Sequence, residues 1–271
     1  MKDAKLPTLF IPHGGGPWPF MPPSPCQTDI WEKLGAYLRS IPATLPAPPK
    51  AILVVSGHWE TSRPTVNINP APPLLFDYYN FPEQTYRLTY PAPGAPELGA
   101  RVRQLLDAAG IASDEEPERG FDHGVFIPFM LIYPPADVPI LQMSLQHGAP
   151  VETHLAIGRA LAPLRDQGIL IVGSGMSYHN LGEFFSPREE ARKAAAEFDA
   201  FLKDAVEISD PSSRGTKLRD WQNAPCALAS HPTAEHLEPL FVVAGAARND
   251  VGRRVFADEI LGKALSAFQF G

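Results

Sequence analysis

The 271-residue chain has only two cysteines, Cys26 and Cys226, set 200 positions apart and without a C-x-x-C pair. A disulfide scaffold and a thiolate zinc site are therefore not expected, and a reducing, cytoplasmic compartment fits. No run approaches the roughly 18 continuous apolar residues of a membrane span. The start, residues 1–5, carries three charges and runs directly into a strand-like segment. It has neither the apolar stretch nor the cleavage site of a secretory leader. Net positive charge is also missing. At −7, the chain is not expected to bind nucleic acid. G-x-G-x-x-G after a strand, Walker A, H-E-x-x-H and G-x-S-x-G are all absent, which removes the common signatures of dinucleotide, nucleotide, zinc-protease and serine-hydrolase sites.

The chain is rich in proline (31) and glycine (21), and 44% of its residues are hydrophobic. It therefore has a core and long shaped loops. Short β-branched runs read as buried strands at residues 6–12 (LPTLFIP), 51–56, 138–145 and 169–173. Residues 65–69 read as a more exposed strand, and 264–270 as a last strand. Leu98, Val102, Leu105, Leu106 and Ala109 make one apolar helical stripe stopped by Gly110. Residues 151–165, 187–206 and, more weakly, 29–38 also read as helices. The alternation predicts an α/β, three-layer fold: a mainly parallel or mixed central sheet with helices on both faces. No repeat or linker divides it, so residues 1–271 read as one domain. The Pro-rich stretches 17–25, 42–49 and 70–96 carry aromatics such as Trp18, Phe20, Phe76, Tyr78 and Tyr86, as packed loops do.

The eight histidines are the informative residues. His13, His58, His147 and His179 each follow a predicted strand, where open parallel sheets bind ligands. Imidazole is both a common metal ligand and the usual acid/base at neutral pH. Gly14–Gly16 after His13, Gly57 before His58, and Gly173 and Gly175 before His179 leave room beside them. His231 and His236 sit at the start of a late helix. His123 lies in a loop, GFDHGVFIPF, held by a carboxylate or facing a pocket. His154 reads as a packed helical residue, while His147 is left open between ligand and structural roles. Phe126 joins Trp18, Phe20, Phe76 and Tyr78 as a candidate pocket wall, and Arg87 and Arg119 as candidate clamps for a substrate carboxylate.

PHGGGP, SGHWE, FDYYNFPEQTY, GFDHGVFIPF, GSGMSYHNL and HPTAEHLEPLFVVAGAA occur in that order over essentially the whole chain. Together they resemble the class III extradiol ring-cleaving dioxygenases, specifically the DOPA-dioxygenase type of the LigB-like superfamily. The resemblance implies a non-haem Fe(II) centre that opens a catechol with O2. It implies His13 and His58 as metal ligands, His179 as catalytic acid/base and His123 as a histidine near the substrate. For the third ligand it implies His236, which takes the place of a glutamate in carboxylate-bearing relatives, with His231 as rival or supporting residue. Glu235, were it helical, would point about 100° away from His236. An all-histidine set departs from the two-histidine, one-carboxylate pattern and suits Zn(II) as well as iron. A zinc-dependent hydrolase and a non-catalytic metal-binding protein on the same fold are the competing readings.

Overall fold

The computed structural model describes residues 4–22 and 30–271. In chain order the strands are β1 (Thr8–Pro12), β2 (Ala51–Thr61), β3 (Thr65–Asn67), β4 (Asp114–Glu116), β5 (Ile140–Gln146), β6 (Ile169–Gly175), β7 (Gly252–Ile260) and β8 (Lys263–Phe270). The helices are α1 (Glu32–Thr44), α2 (Pro96–Ala108), α3 (His123–Ile132), α4 (Val151–Leu161), α5 (Leu181–Phe184), α6 (Glu189–Val206), α7 (Pro211–Arg219), α8 (Ala227–Ser230) and α9 (Glu238–Ala247). Among the described residues the strands form one sheet in the order β4-β3-β5-β2-β6-β1-β8-β7. Its centre, β5-β2-β6-β1, is parallel, while β8 joins β1 antiparallel and β3 joins β5 antiparallel. The sheet is thus mixed, with a parallel heart.

Alternation along the central strands sends side chains to two cores. Leu53, Val55, Ile169, Ile171 and Phe10 enter one, shared with residues of α2, α4, α6 and α9. Ile52, Val54, Leu170, Val172, Leu9 and Ile11 enter the other, shared with α1 and α3. Covering both faces makes the continuous apolar runs of the central strands favourable, and it makes the fold three-layered.

Several local expectations change. β3 is buried rather than exposed, because it packs between β4 and β5 at a covered part of the sheet. β2 continues through His58 to Thr61, past the end of its apolar run. The GFDHGVFIPF segment is a helix from His123 onward, not a loop. Its apolar residues are buried all round, so no amphipathic stripe announces it. Residues 151–165 divide into α4 and a following 3-10 turn at Ala162–Gln167. The predicted helix near residue 29 becomes α1, running from Glu32. Residues 23–29, including Cys26, part of the Pro-rich stretch 17–25 and the start of that predicted helix, lie outside the described residues. Among the described residues no helix is long and apolar enough to cross a membrane.

Candidate active site

The carboxyl ends of β1, β2 and β6 lie side by side at one edge of the sheet. His13 directly follows β1. His58 stands on β2 where pairing with β5 slips between Val55 and Glu60, so residues 56–59 leave the ladder with β5. Ser56 Oγ accepts the His58 backbone N–H at 3.2 Å and helps fix this irregularity. His179 follows β6. His236 lies in the turn leading to α9.

Missing side chains let these segments meet. A Cβ on Gly175 would lie 2.2 Å from the His236 carbonyl oxygen, and one on Gly57 3.2 Å from His236 Cα. The turn carrying His236 therefore rests directly on β2 and β6. The triple glycine after His13 works differently from the sequence expectation. Gly14 adopts φ +81°, and the space beside it is filled by the Trp18 indole, whose Nε1–H donates to the His13 carbonyl at 2.9 Å.

His58 Nε2 lies 3.2 Å from His13 Nε2 and 3.2 Å from His236 Nε2. Each Nδ1 faces an oxygen. His13 Nδ1 is 2.8 Å from the Gly14 carbonyl, His58 Nδ1 3.5 Å from Asp77 Oδ2, and His236 Nδ1 3.0 Å from Glu235 Oε1. An imidazole that donates from Nδ1 presents a bare lone pair at Nε2. Lone pairs of His13 and His236 turned on that of His58 repel it unless a cation lies between them. Two nitrogens bound at about 2.0–2.1 Å to one tetrahedral ion stand about 3.3 Å apart, and the observed spacing fits. The donor set therefore suits a metal ion, and its neutral imidazoles suit Fe(II) and Zn(II) alike.

Burial keeps these rings uncharged. His13 and His236 are driven well below the ordinary imidazole range, first by burial and then by neighbouring histidines. His58 is also lowered, by burial and then by His123, although Asp77 opposes the shift. Deprotonated imidazoles are the form that binds metal.

Two more histidines join this cluster: His123 offers a nitrogen within 4.8 Å of nitrogens of His13 and His58, a group that could itself hold an ion, and His179 offers one within 4.8 Å of ligand atoms of His236 and Glu235. His179 stacks on His236 with ring centroids 3.4 Å apart and planes 12° apart. Burial pushes it down to about 4, despite the opposing carboxylate of Glu235. His123 lies with its ring centroid 3.9 Å from that of His58 and 5.3 Å from that of His13. Its Nδ1 is 2.7 Å from Asp77 Oδ1, so the carboxylate that holds it is Asp77 and not the adjacent Asp122. Tyr78 meets the His123 ring edge-on.

The structure leaves three histidines outside. His231 is buried against Phe198 and Trp221, and its Nε2 lies 3.0 Å from the Ser177 carbonyl. It takes no part in the Nε2 convergence. His147 is exposed beside Glu60. His154 is buried in α4, where its Nε2 accepts the Gln146 backbone N–H at 3.3 Å. Glu238, 3.9 Å from His154, is pushed up to about 8 by burial and by the negative charges of Glu60 and Glu235.

Asp77 and Glu235 are the site residues that sequence reasoning missed. Asp77 sits within the segment FDYYNFPEQTY, but nothing in its spacing links it to His58. Helical geometry would turn Glu235 away from His236. Residues 235–237 form a turn before α9, and there the carboxylate reaches back to His236 Nδ1. Of the two candidate clamps, Arg87 is exposed and paired with Glu83. Arg119 stands beside the site, donating to the His58 carbonyl and to Asp122 at 3.3 Å each, with its guanidinium over Trp59. Among the candidate walls, Phe126 of α3 and Tyr78 are buried in one core and Phe20, Phe76 and Trp18 pack against it, while Tyr78 and Trp18 also touch a site histidine or its backbone.

Known proteins resemble the whole chain. Residues 7–269 match the family model of the catalytic LigB subunit of aromatic ring-opening dioxygenase. The chain is 36% identical to dioxygenase tasH of Hapsidospora irregularis, over 98% of this chain and 85% of that protein. It is 40% identical to 4,5-DOPA dioxygenase extradiol of Beta vulgaris, over 73% of this chain and 74% of that one. With the Escherichia coli K12 protein of the same name it shares 35% identity over 91% and 87%. A crystal structure of an uncharacterized E. coli K12 protein superposes with a TM-score of 0.75 at 32% identity, covering 98% of this chain and all of that one. The chain belongs to the LigB family of aromatic ring-opening dioxygenases.

Proposed function

We propose that the protein opens a DOPA-like catechol beside its two hydroxyls with O2, at one non-haem metal ion held by Nε2 of His13, His58 and His236. Both oxygen atoms enter the product, and the ring carbon–carbon bond next to the diol is broken. The observation that carries this reading is that Nε2 of His13 and Nε2 of His236 each lie 3.2 Å from Nε2 of His58, while the Nδ1 of each of the three faces an oxygen. Fe(II) is the working metal of the proposal, because dioxygen chemistry needs a metal that can exchange electrons and zinc cannot. When bound, the ion supplies the electronic link between catecholate and dioxygen, and zinc in its place leaves the site filled but inactive.

The remaining work falls to this chain's own groups. Burial lowers His179 to about 4 and so favours its neutral ring, which can take a catechol proton and return it later. Its ring lies flat on His236, which fixes the direction of its nitrogens. His123, with Nδ1 committed to Asp77, keeps Nε2 for a hydroxyl or oxygen of the bound reactants. Arg119 is the cation of the proposal for a substrate carboxylate. The proposal places this activity in the cytoplasm, in one domain spanning residues 1–271.

Anaerobic Fe(II) titration tests the site. Saturation at one ion per chain, lost in His58→Ala, supports it. Undiminished binding in His13→Ala, His58→Ala and His236→Ala would refute it. Ester or amide hydrolysis by the zinc form without O2 would favour a hydrolase instead.

A further inference from the structure

Around the histidines one arrangement occurs twice. Asp77 Oδ1 accepts from the His123 Nδ1–H at 2.7 Å and from the His123 backbone N–H at 3.0 Å, while Oδ2 lies 3.5 Å from His58 Nδ1. Glu235 Oε1 lies 3.0 Å from His236 Nδ1 and 3.8 Å from His179 Nδ1, and it accepts the Thr233 hydroxyl at 3.0 Å. Each carboxylate thus spans one histidine of the Nε2 trio and one histidine beside it. His13 lacks such a bracket and is held instead by a backbone carbonyl.

We propose that Asp77 and Glu235 are paired positioning residues, each locking one metal-facing histidine in its Nδ1–H tautomer and tying it to the histidine that faces the reactants. The inference rests on the metal reading above. A neutral imidazole has two tautomers, and only the Nδ1–H form leaves Nε2 free to bind. The 3.0 Å contact of Glu235 with His236 Nδ1 is a hydrogen bond of the strong, charge-assisted class, and the Asp77 carboxylate 3.5 Å from His58 Nδ1 pulls electrostatically on the same proton, so both favour that form. Asp77, fixed by two hydrogen bonds from His123, holds its second oxygen toward His58, and Glu235, hydrogen-bonded to His236, keeps its charge 3.8 Å from His179 Nδ1.

Asp77→Asn is the most selective probe. The His123 backbone N–H and Nδ1–H keep the amide oxygen at the Oδ1 position. The NH2 group then faces His58 Nδ1 and favours the wrong tautomer there. Glu235→Ala removes the other bracket at a turn where alanine fits. Zn(II) affinity is measured by competition, and histidine tautomers by 15N NMR of the Zn(II) form, with thermal unfolding of the metal-free variants as the folding control. Each variant is expected to bind zinc about 10- to 100-fold more weakly, with unfolding near that of wild type. In Asp77→Asn the His58 nitrogen resonances shift. In Glu235→Ala those of His236 shift. Affinity within twofold of wild type and unshifted nitrogens in both variants would overturn the proposal. Wild type that fails to take one ion per chain would overturn the metal reading, and the brackets with it; because that result appears in wild type alone, it is distinct from failure of the brackets.

Discussion

The ring of His179 lies parallel to that of His236, 3.4 Å away between centroids and 12° between planes. One ring belongs to the Nε2 trio, and the other stands one layer out, with its Nδ1 3.8 Å from Glu235 Oε1. This contact separates holding a metal from moving a proton, and the two roles respond differently to mutation.

His179→Ala removes the outer ring only. Metal binding stays near wild type, and turnover falls by roughly 10²- to 10⁴-fold, the usual scale for a general acid/base. Metal analysis together with steady-state rates checks this, and undiminished turnover would take His179 out of the mechanism.

His231 and His236 make a paired test of the third ligand. His236→Ala is expected to lose the metal. His231→Ala keeps it but destabilises the fold, because His231 fills a buried site against Phe198 and Trp221. Metal stoichiometry and denaturant midpoints on both variants separate the roles. The reverse pattern would move the ligand to His231.

Gly175→Ala should damage the site without touching a functional group. The new methyl would lie 2.2 Å from the His236 carbonyl oxygen, backbone that cannot yield without displacing the turn. Overpacking of this kind typically costs about 1–3 kcal/mol. Weaker metal binding accompanied by a lower Tm is expected, and wild-type values for both would contradict the close approach.

Acid stability follows from buried neutral histidines. His154 is pushed down to about 4 by burial, from an ordinary 6.5, and His231 to about the same value, chiefly by burial. Between pH 6.5 and 4 the unfolded chain binds more protons than the fold. Their contribution is therefore complete above about pH 6.5 and is lost as pH falls toward 4. Each group adds a slope of up to about 1.4 kcal/mol per pH unit in that window. Urea unfolding of metal-free protein across pH 4–7 measures it, and His154→Gln should reduce the slope by one proton. An unchanged slope in that variant would count against the assignment.

The parallel heart of the sheet was legible because β1, β2 and β6 carry continuous apolar runs, as strands covered on both faces do, and β5 keeps Ile140, Leu141, Met143 and Leu145. The histidines after those runs pointed to the correct edge of the sheet. What escaped was set by tertiary contact. β7 is charged and half-exposed, so it carries no strand period of its own and exists through its pairing with β8. α3 is apolar on every side and lacks a stripe. Asp77 reaches His123 across 46 positions, a relation no local spacing encodes. Glu235 reaches His236 only because the chain turns there.

The most direct test of the central claim is oxygen uptake by anaerobically Fe(II)-loaded protein given DOPA or a simple catechol, with the zinc-loaded protein as control. One O2 consumed per catechol, with a coloured ring-opened product from the iron form alone, is the predicted result. A site filled with one iron per chain that consumes no O2 with any catechol, or equal turnover by the zinc form, would contradict it.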